Sequence, residues 1–461
     1  MTIVPRDAPV LTAAQMRAAE RTCFGAGTAQ SDLMERAATA IAREVARLAI
    51  GRAVLVLAGP GNNGGDAFAA ARLLAASGID VMVAKFGEPR GAAAAMRDRW
   101  GGATIAIEDA TPRPVLVDGL FGIGLSRPID PVLAAIAGRL SAAADLTVAI
   151  DLPSGMASDA DGDVAPAARA DVTLALGALK PAHVVGDLRD ACGHVLFDTI
   201  GLSLDSDIRT IGRPSMSSPG ARDHKYRRGL VAVVAGTMGG AARLAANAAA
   251  HGGAGYCVLL SDDARVPCDS IVRRQPDDLR ATLDDDRTRA IVIGCGLGRS
   301  DSAGGRVSAV VASGRPAVID GDALALIRPE SLSLRTAPTI LTPHSGEFDR
   351  LFGDDRRNRI DRTVAAAERS GAVVVHKGAD TVIAAPDGRV VIAHPPAWLS
   401  TAGTGDVLAG LIGARLAVSG DAMRAAIAGV WLHARAARLA GPAFVADSLA
   451  MHIPAAIAEC L

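Results

Sequence analysis

Two short stretches of this chain combine residue types that do chemistry with spacings that bring them together. The first is STAGTGD, ending at Asp406. A Gly- and Thr-rich turn opens a helix whose first turn carries a carboxylate. The backbone N–H groups of Gly403, Thr404 and Gly405 are expected to form an anion hole there, because the first N–H groups of a helix lack internal partners and the helix dipole favours negative charge. A carboxylate beside such a hole can take a hydroxyl proton while the hole steadies a transferred phosphoryl group. An Asp at a helix start is also a common cap; the flanking AGTG favours the chemical reading.

The second stretch is LAGPGNNGGDAF, between a strand-like and a helix-like run. Gly59, Gly61, Gly64 and Gly65 suit tight turning and close approach to an anion such as a pyrophosphate. Asn62, Asn63 and Asp66 add oxygens that can bind a ribose or a cation. Asp118 in VDGLFGIGLSRP, and Asp151 and Ser154 in DLPSG, follow later strand-like runs. In a parallel sheet such strand ends share one crevice. Oxygens of Asn63, Asp118 and Ser154 could hold a hard cation, or the two carboxylates could simply satisfy loop N–H groups.

The elements that position these residues alternate in the manner of doubly wound α/β domains. AVLVLAG, VMVAKFG, VLVDGLFG and LTVAIDLPSG read as strands; Thr12 with Gln15 opens a helix with a capping box, and DLMERAATAIAREVARL is a second helix. The polar stretch RPSMSSPGARDHKY suits a linker. A second alternation follows in GLVAVVAG, AARLAANAAAHGG, YCVLLS, AIVIGCG, PAVIDGDAL, TILTPHSGE and AVVVHKG. We expect two domains, residues 1–211 and 222–461, the first Rossmann-like and the second, whose AGTGD turn resembles that of ribokinase-type phosphotransferases, ribokinase-like.

Composition narrows the class. A chain of 461 residues exceeds one ordinary core. With only 3% aromatic residues and 50 glycines, the core must be aliphatic and closely packed. A net charge of -1 gives no general attraction to nucleic acid or an anionic membrane. The six cysteines are scattered without a CxxC pair, which fits reduced thiols, and with no signal-like start or membrane-length apolar run the expectation is a cytoplasmic protein.

Taken together, NNGGD, DGLFGIGL, DLPSG and the upstream LMERA resemble the NAD(P)H-hydrate epimerase domain, over roughly residues 10–205. HKYRRGLVAVVAG, GGAARLAANAAAHGGAGY, IGCGLG, VIDGDAL, LTPHSGEFDRLFG, VVVHKGADTVIAAPDG and AGTGD resemble NAD(P)H-hydrate dehydratase over nearly all of residues 222–461. The whole is similar to the bifunctional repair family. The resemblance implies that Asn63, Asp118 and Ser154 ligate potassium. It implies that Asn62, Asn63, Gly64, Gly65, Asp66, Gly122, Ile123, Gly124, Leu125 and Asp151 contact the hydrated dinucleotide, Asp151 catalytically. In the second domain, Gly240–Ala241 and Gly296–Gly298 would leave room for substrate, with His344 and Glu347 lining the same pocket. Lys377, Gly378, Ala379, Asp380, Thr381 and Gly405 would bind nucleotide, and Asp406 would be the base. Magnesium with ADP, or ATP, is the implied cofactor set. NADHX or NADPHX is the implied ligand, and a homo-oligomer is expected. Ala67, Cys295, Gly321 and Ala402 depart from the usual residues. The rival reading is a ribokinase-like small-molecule kinase fused to a dinucleotide-binding module, which shares GTGD but gives no reason for NNGGD with DLPSG.

Overall fold

The structure is a computed structural model and describes residues 4–125, 128–160 and 166–461. The chain divides into two compact units, Met1–Thr210 and Ile211–Leu461.

The first unit is built on β1 (Val54–Ala58), β2 (Val81–Lys85), β3 (Thr104–Ala106), β4 (Val115–Gly119), β5 (Leu146–Ile150), β6 (Val172–Leu176) and β7 (His194–Asp198). They pair in parallel in the order β3-β2-β1-β4-β5-β6-β7. β1, β4 and β6 are buried along their whole length, as expected of strands covered on both faces. One face is packed by α1 (Ala13–Gly25), α2 (Gln30–Ala49) and α3 (Asn62–Ala76), through Met16, Ile41, Val45 and Phe68. Leu133, Ala137 and Leu140, from the helix at Pro131–Ala142, pack the other. Thr12 and Gln15 form the expected capping box. The direction of winding reverses between β1 and β4, which opens a crevice at their carboxyl ends.

NNGGD does not form a loop. α3 starts at Asn62, so both glycines are helical. The reason is steric: a Cβ at Gly64 would lie 1.8 Å from the Gly59 carbonyl oxygen, and one at Gly59 would lie 1.9 Å from that of Leu120. Only glycine lets the helix start this close to the strand ends.

The second unit repeats the plan. Its strands run β9 (Leu230–Val234), β10 (Tyr256–Leu260), β11 (Ile271–Arg274), β12 (Thr288–Ile293), β13 (Ala317–Ile319), β14 (Thr339–Leu341), β15 (Val373–His376), β16 (Thr381–Ala384) and β17 (Val390–Ala393), numbered after β8 (Ile208–Thr210), which ends the first unit. Their order is β11-β10-β9-β12-β13-β14-β15-β16-β17, parallel as far as β15 and antiparallel thereafter. The Ala-rich helices Gly239–His251, Thr404–Ser419 and Ala422–Ala440 cover one face. They approach closely because glycine lines the contacts: a Cβ at Gly410 would stand 2.0 Å from the Ala245 carbonyl oxygen, and one at Gly429 2.4 Å from the Ile412 side chain. This is how an aromatic-poor chain fills its core.

The polar stretch before residue 226 is tied into the second unit: Met216 N–H donates to the Cys460 carbonyl at 2.9 Å, and both Ile211 and Met216 pack against that unit's core. No helix among the described residues is long and apolar enough to cross a membrane.

Candidate active sites

In the first unit, the carboxyl ends of β1, β4, β5 and β6 surround a cavity of about 460 Å³. Its lining includes Asn62, Asn63, Asp66, Gly122, Ile123, Gly124, Leu125 and Asp151. Gly64 and Gly65 lie behind, buried in the α3 contact. The loop after β4 must carry glycine, since a Cβ at Gly122 would meet the Asn63 and Asp151 side-chain oxygens at 3.2 and 3.3 Å.

Asp118 and Ser154 do not reach the cavity wall. Asp118 lies in β4 itself, in register with Leu57 of β1 and Ala149 of β5. Its Oδ1 accepts from the Ser154 hydroxyl at 2.6 Å and from Leu120 N–H at 3.3 Å, and its Oδ2 from Ser154 N–H at 2.8 Å. The Ser154 hydroxyl in turn accepts from Phe121 N–H at 3.0 Å. The carboxylate therefore satisfies loop N–H groups. Its partners are all neutral donors, and burial pushes its pKa up.

Of the charged floor of the cavity, Asp151 was legible in the sequence and its partners were not. Asp151 follows β5 with φ 65°, in the left-handed region that Asp tolerates better than most residues. The Lys180 ammonium is ion-paired to Asp151 Oδ1 and donates to the Leu176 carbonyl at 2.8 Å. Lys180 is 1% exposed. His183 completes the anchor: its Nε2 meets the Asp151 carbonyl oxygen at 2.6 Å while its Nδ1 accepts from Lys180 N–H at 2.9 Å. That arrangement puts the proton on Nε2, and burial pushes His183 down to about 4, so the ring is neutral. Lys180 and His183 sit in ALKPAH, where the only signal was a strand end followed by Pro at a helix start. Glu20, from α1, also lines the cavity. Burial, then Asp151 and Glu20, raise Asp66 well above the carboxylate range; burial, against Lys180, raises Glu20 as well. Lys180 pairs with Asp151, and Lys180, Arg17 and Arg21 offset part of the rise at Glu20, whereas Asp66 has only burial and two like charges and is driven hardest to hold a proton.

In the second unit, three neighbouring strand ends form a row. Asp320 follows β13, Thr342 follows β14 and Lys377 follows β15. Asp320 Oδ1 accepts from Thr342 Oγ1 at 2.6 Å and Lys377 Nζ at 2.9 Å. Burial opposes the Lys377 charge, but Asp320 and Glu347 hold its pKa above the usual lysine range. The helix Thr404–Ser419 begins beside this row: a Cβ at Gly405 would stand 3.5 Å from Lys377 Nζ. Its N-cap is Gly403, at φ 86°, with no capping side chain. Of the three N–H groups expected in the anion hole, that of Thr404 is engaged: it donates to the Thr401 carbonyl at 3.3 Å, and the first helical bond is made by Val407 N–H to Gly403. Gly405 and Asp406 therefore supply the N–H groups at the helix mouth. Burial, then Asp320, raise the Asp406 carboxyl to about 6.

The remaining expected residues are near but serve the fold as well. His344 caps the helix Ser345–Phe352: its Nδ1 accepts from Gly346 and Glu347 N–H groups at 3.1 and 3.3 Å, and Glu347 Oε2 returns the contact to His344 N–H at 2.9 Å. The imidazole edge stays about half exposed, with Nε2 3.4 Å from Glu347 Oε1. Gly378 and Thr381 close the turn after β15 by mutual hydrogen bonds of 3.2 and 2.9 Å. Asp380 is held by Arg359 at 3.3 Å, and Arg359 also reaches the Lys377 carbonyl and Ser345; no motif or spacing singles Arg359 out. Ala379 is exposed at the turn. Gly296 and Gly298 are packing requirements: a Cβ there would meet the Met238 carbonyl oxygen at 2.5 Å and Thr237 Oγ1 at 2.9 Å. Ala241 sits at the same contact, its Cβ 2.9 Å from the one Gly296 lacks.

These two sites match known families in order along the chain. Residues 30–182 match the family described as YjeF-related protein N-terminus, and residues 231–458 match NAD(P)H-hydrate dehydratase. A bifunctional NAD(P)H-hydrate repair enzyme of Mycobacterium leprae is 35% identical over 460 residues, covering 92% of this chain and 94% of that one. Another, from Gloeobacter violaceus, is 37% identical, covering 92% of each. The chain belongs to the bifunctional NAD(P)H-hydrate repair enzyme family. Its two units correspond to the epimerase and dehydratase domains of that family, and the fused-kinase reading is not favoured. A solved ADP/ATP-dependent NAD(P)H-hydrate dehydratase from Bacillus subtilis, co-crystallised with ATP and magnesium, is 29% identical, with a TM-score of 0.49, covering 54% of this chain and 95% of that one.

The Lys180–Asp151 pair makes a prediction about stability. Lys180→Met leaves a buried carboxylate without its cation and should cost about 3–5 kcal/mol. Adding Asp151→Asn removes that charge and should restore most of the loss, because Asn also tolerates a positive φ. Urea unfolding of the parent, single and double variants checks this; parental stability for Lys180→Met would show that the pair is not what orders the cavity floor.

Proposed function

We propose that the first unit interconverts the R and S epimers of hydrated NAD(P)H and the second dehydrates the S epimer, with Asp406 as base. The observation that carries this reading is the position of Asp406. A partly buried carboxylate, raised to about 6, stands at an uncapped helix mouth beside the Asp320–Lys377 pair.

The hydrate carries a hydroxyl on C6 of the nicotinamide ring, next to N1. Hydroxide leaves poorly; phosphate leaves well. Asp406 takes the hydroxyl proton as the oxygen attacks the terminal phosphoryl group of ADP or ATP, which departs as AMP or ADP. The Gly405 and Asp406 N–H groups steady the transferred phosphoryl. Lys377 is placed to meet a phosphate. The N1 lone pair then expels phosphate from C6, and loss of a proton from C5 restores the dihydronicotinamide. Magnesium, bound with the nucleotide, supplies neutralising charge to the phosphates. The mutual repulsion of Asp320, Glu347 and Asp406, which helps to raise Asp406, fits a dication there.

In the first unit the C6 centre can invert by opening the ring. The hydroxyl loses its proton, the C6–N1 bond breaks to an aldehyde, and N1 takes up a proton; closure on the other face reverses these steps. Asp66, held protonated, and Asp151, anchored on Lys180, are placed to carry those protons. Asn63, Asp118 and Ser154 offer only oxygen donors to a cation, and the buried Asp118 carboxylate has no cationic partner among the described residues. They fit potassium, which would supply the missing positive charge at the crevice.

Two measurements test the assignments. Asp406→Asn should lower dehydration about 10²–10⁴-fold without changing epimerisation. In the parent the dehydration rate should rise with pH through about 6, as Asp406 loses its proton. A carboxyl raised in the folded state loses stability as pH climbs from its unfolded value through about 6. Asp406→Asn should therefore melt at or above the parent temperature at neutral pH; near-parental turnover would remove Asp406 as the base. Replacing potassium by tetramethylammonium should slow epimerisation and leave dehydration of pure S epimer untouched, and Asp118→Ala should remove the potassium dependence. Epimerisation indifferent to the cation would exclude the site.

A further inference from the structure

Cys295 has no part in the dehydration chemistry, yet it lies among the groups that do. It follows β12, between Gly294 and Gly296, both at positive φ, and is 1% exposed. Its Sγ and carboxylate oxygens of Asp320 and Asp406 all lie within 4.8 Å of one another. The two oxygens of Asp320, itself 3% exposed, are used differently. Oδ1 is taken by Thr342 and Lys377. Oδ2 faces the Cys295 thiol at 3.8 Å, a weak donor at long range. A buried carboxylate oxygen with so little hydrogen bonding is poorly satisfied.

We propose that Cys295, Asp320 and Asp406 form a binding site for a borderline-soft divalent cation of the zinc type. One thiolate and two carboxylates are a suitable donor set. Three protein ligands leave a fourth position open, and bonds of about 2.0–2.3 Å place tetrahedral ligands about 3.3–3.8 Å apart, within a side-chain adjustment of the present spacing. Charge also closes: thiolate, two carboxylates, the dication and the Lys377 ammonium sum to zero. On binding, the Cys295 S–H bond breaks, its proton goes to water, and the sulfur electron pair is shared with the metal. Magnesium, which the proposed mechanism places at the same carboxylates, gains nothing from the thiolate, so a cation that binds sulfur displaces it. An occupied site engages Asp406, so the second unit's dehydration stops while the first unit's epimerisation continues. That consequence, unlike the site itself, rests on Asp406 being the base.

The test uses the full chain with cobalt(II) as probe. In excess magnesium, cobalt should titrate to one site per chain with a thiolate-to-metal charge-transfer band in the near ultraviolet. Cys295→Ala and Cys295→Ser should lose the band while keeping the parental melting temperature. Cys23 and Cys268, which are partly exposed, remain in both variants and serve as internal controls. Zinc should then halt dehydration by the parent and spare both variants. No band in the parent, or an equal band in a folded Cys295 variant, overturns the site. A band lost with Cys295, accompanied by undiminished dehydration in zinc, upholds the site and overturns Asp406 as base.

Discussion

A carboxylate at the buried carboxyl end of a parallel strand needs positive charge or, as at Asp118, neutral donors, and both units depend on the pair in which a lysine meets that need. Asp151 ends β5 and is met by Lys180, four residues beyond the end of β6, the next strand in the sheet. Asp320 ends β13 and is met by Lys377, which ends β15, with Thr342 of the intervening β14 filling the gap. In each case strand register sets the distance between acid and base. Both lysines are largely buried, so neither charge can turn to solvent for relief, and removing one partner strands the other. The pairs tie neighbouring strand ends together and fix the floor on which a ligand would sit.

Negative charge left over after pairing is what gives each site its chemistry. In the first unit Asp151 holds Lys180, Glu20 is eased by Lys180, Arg17 and Arg21, and Asp66, beside both carboxylates with no cation of its own among the described residues, is driven to keep a proton. In the second, Asp406 stands near Asp320 and Glu347 with Lys377 already engaged, and its carboxyl titrates at about 6. A group poised as Asp406 is can both take and return protons near neutrality. The same surplus is what the proposed cations would answer, potassium beside Asp118 and magnesium beside Asp320, Glu347 and Asp406. Each site is less stable as a piece of folded protein than an apolar packing would be, and the closely packed Ala- and Gly-rich layers beneath carry that cost.

Much of this was legible in the sequence because the strands are continuous apolar runs and the helices between them are amphipathic or Ala-rich. Asp118 and Asp151 at strand ends, and Asp406 in the first turn of a helix, stood out against that background. Three kinds of feature did not. Lys180 and His183 are ordinary residues in ordinary positions, and only the neighbouring strand brings them under Asp151. Glycines that read as contacts or room for a ligand, at 64, 65, 296 and 298, are also places where a Cβ would run into neighbouring backbone or side chains. The polar stretch near residue 216 reads as a linker, but one methionine in it packs into the second unit's core. Pairings across strands leave no period in the sequence, and packing of this kind is decided by partners far away in the chain.

The central claim is that two chemistries reside in separate units and that unpaired carboxylates run both. Asp66→Asn tests it most directly, because Asn mimics the protonated acid in shape and should leave the fold intact. A mixture of R and S hydrate, with magnesium and nucleotide, is followed to completion by the return of dihydronicotinamide absorbance. The parent should recover the whole pool. Asp66→Asn should begin at the parental rate and stop once the S fraction is consumed, the R fraction then yielding when parent enzyme is added. Complete recovery by the variant at the parental pace, or a loss of the initial rate itself, would contradict the account.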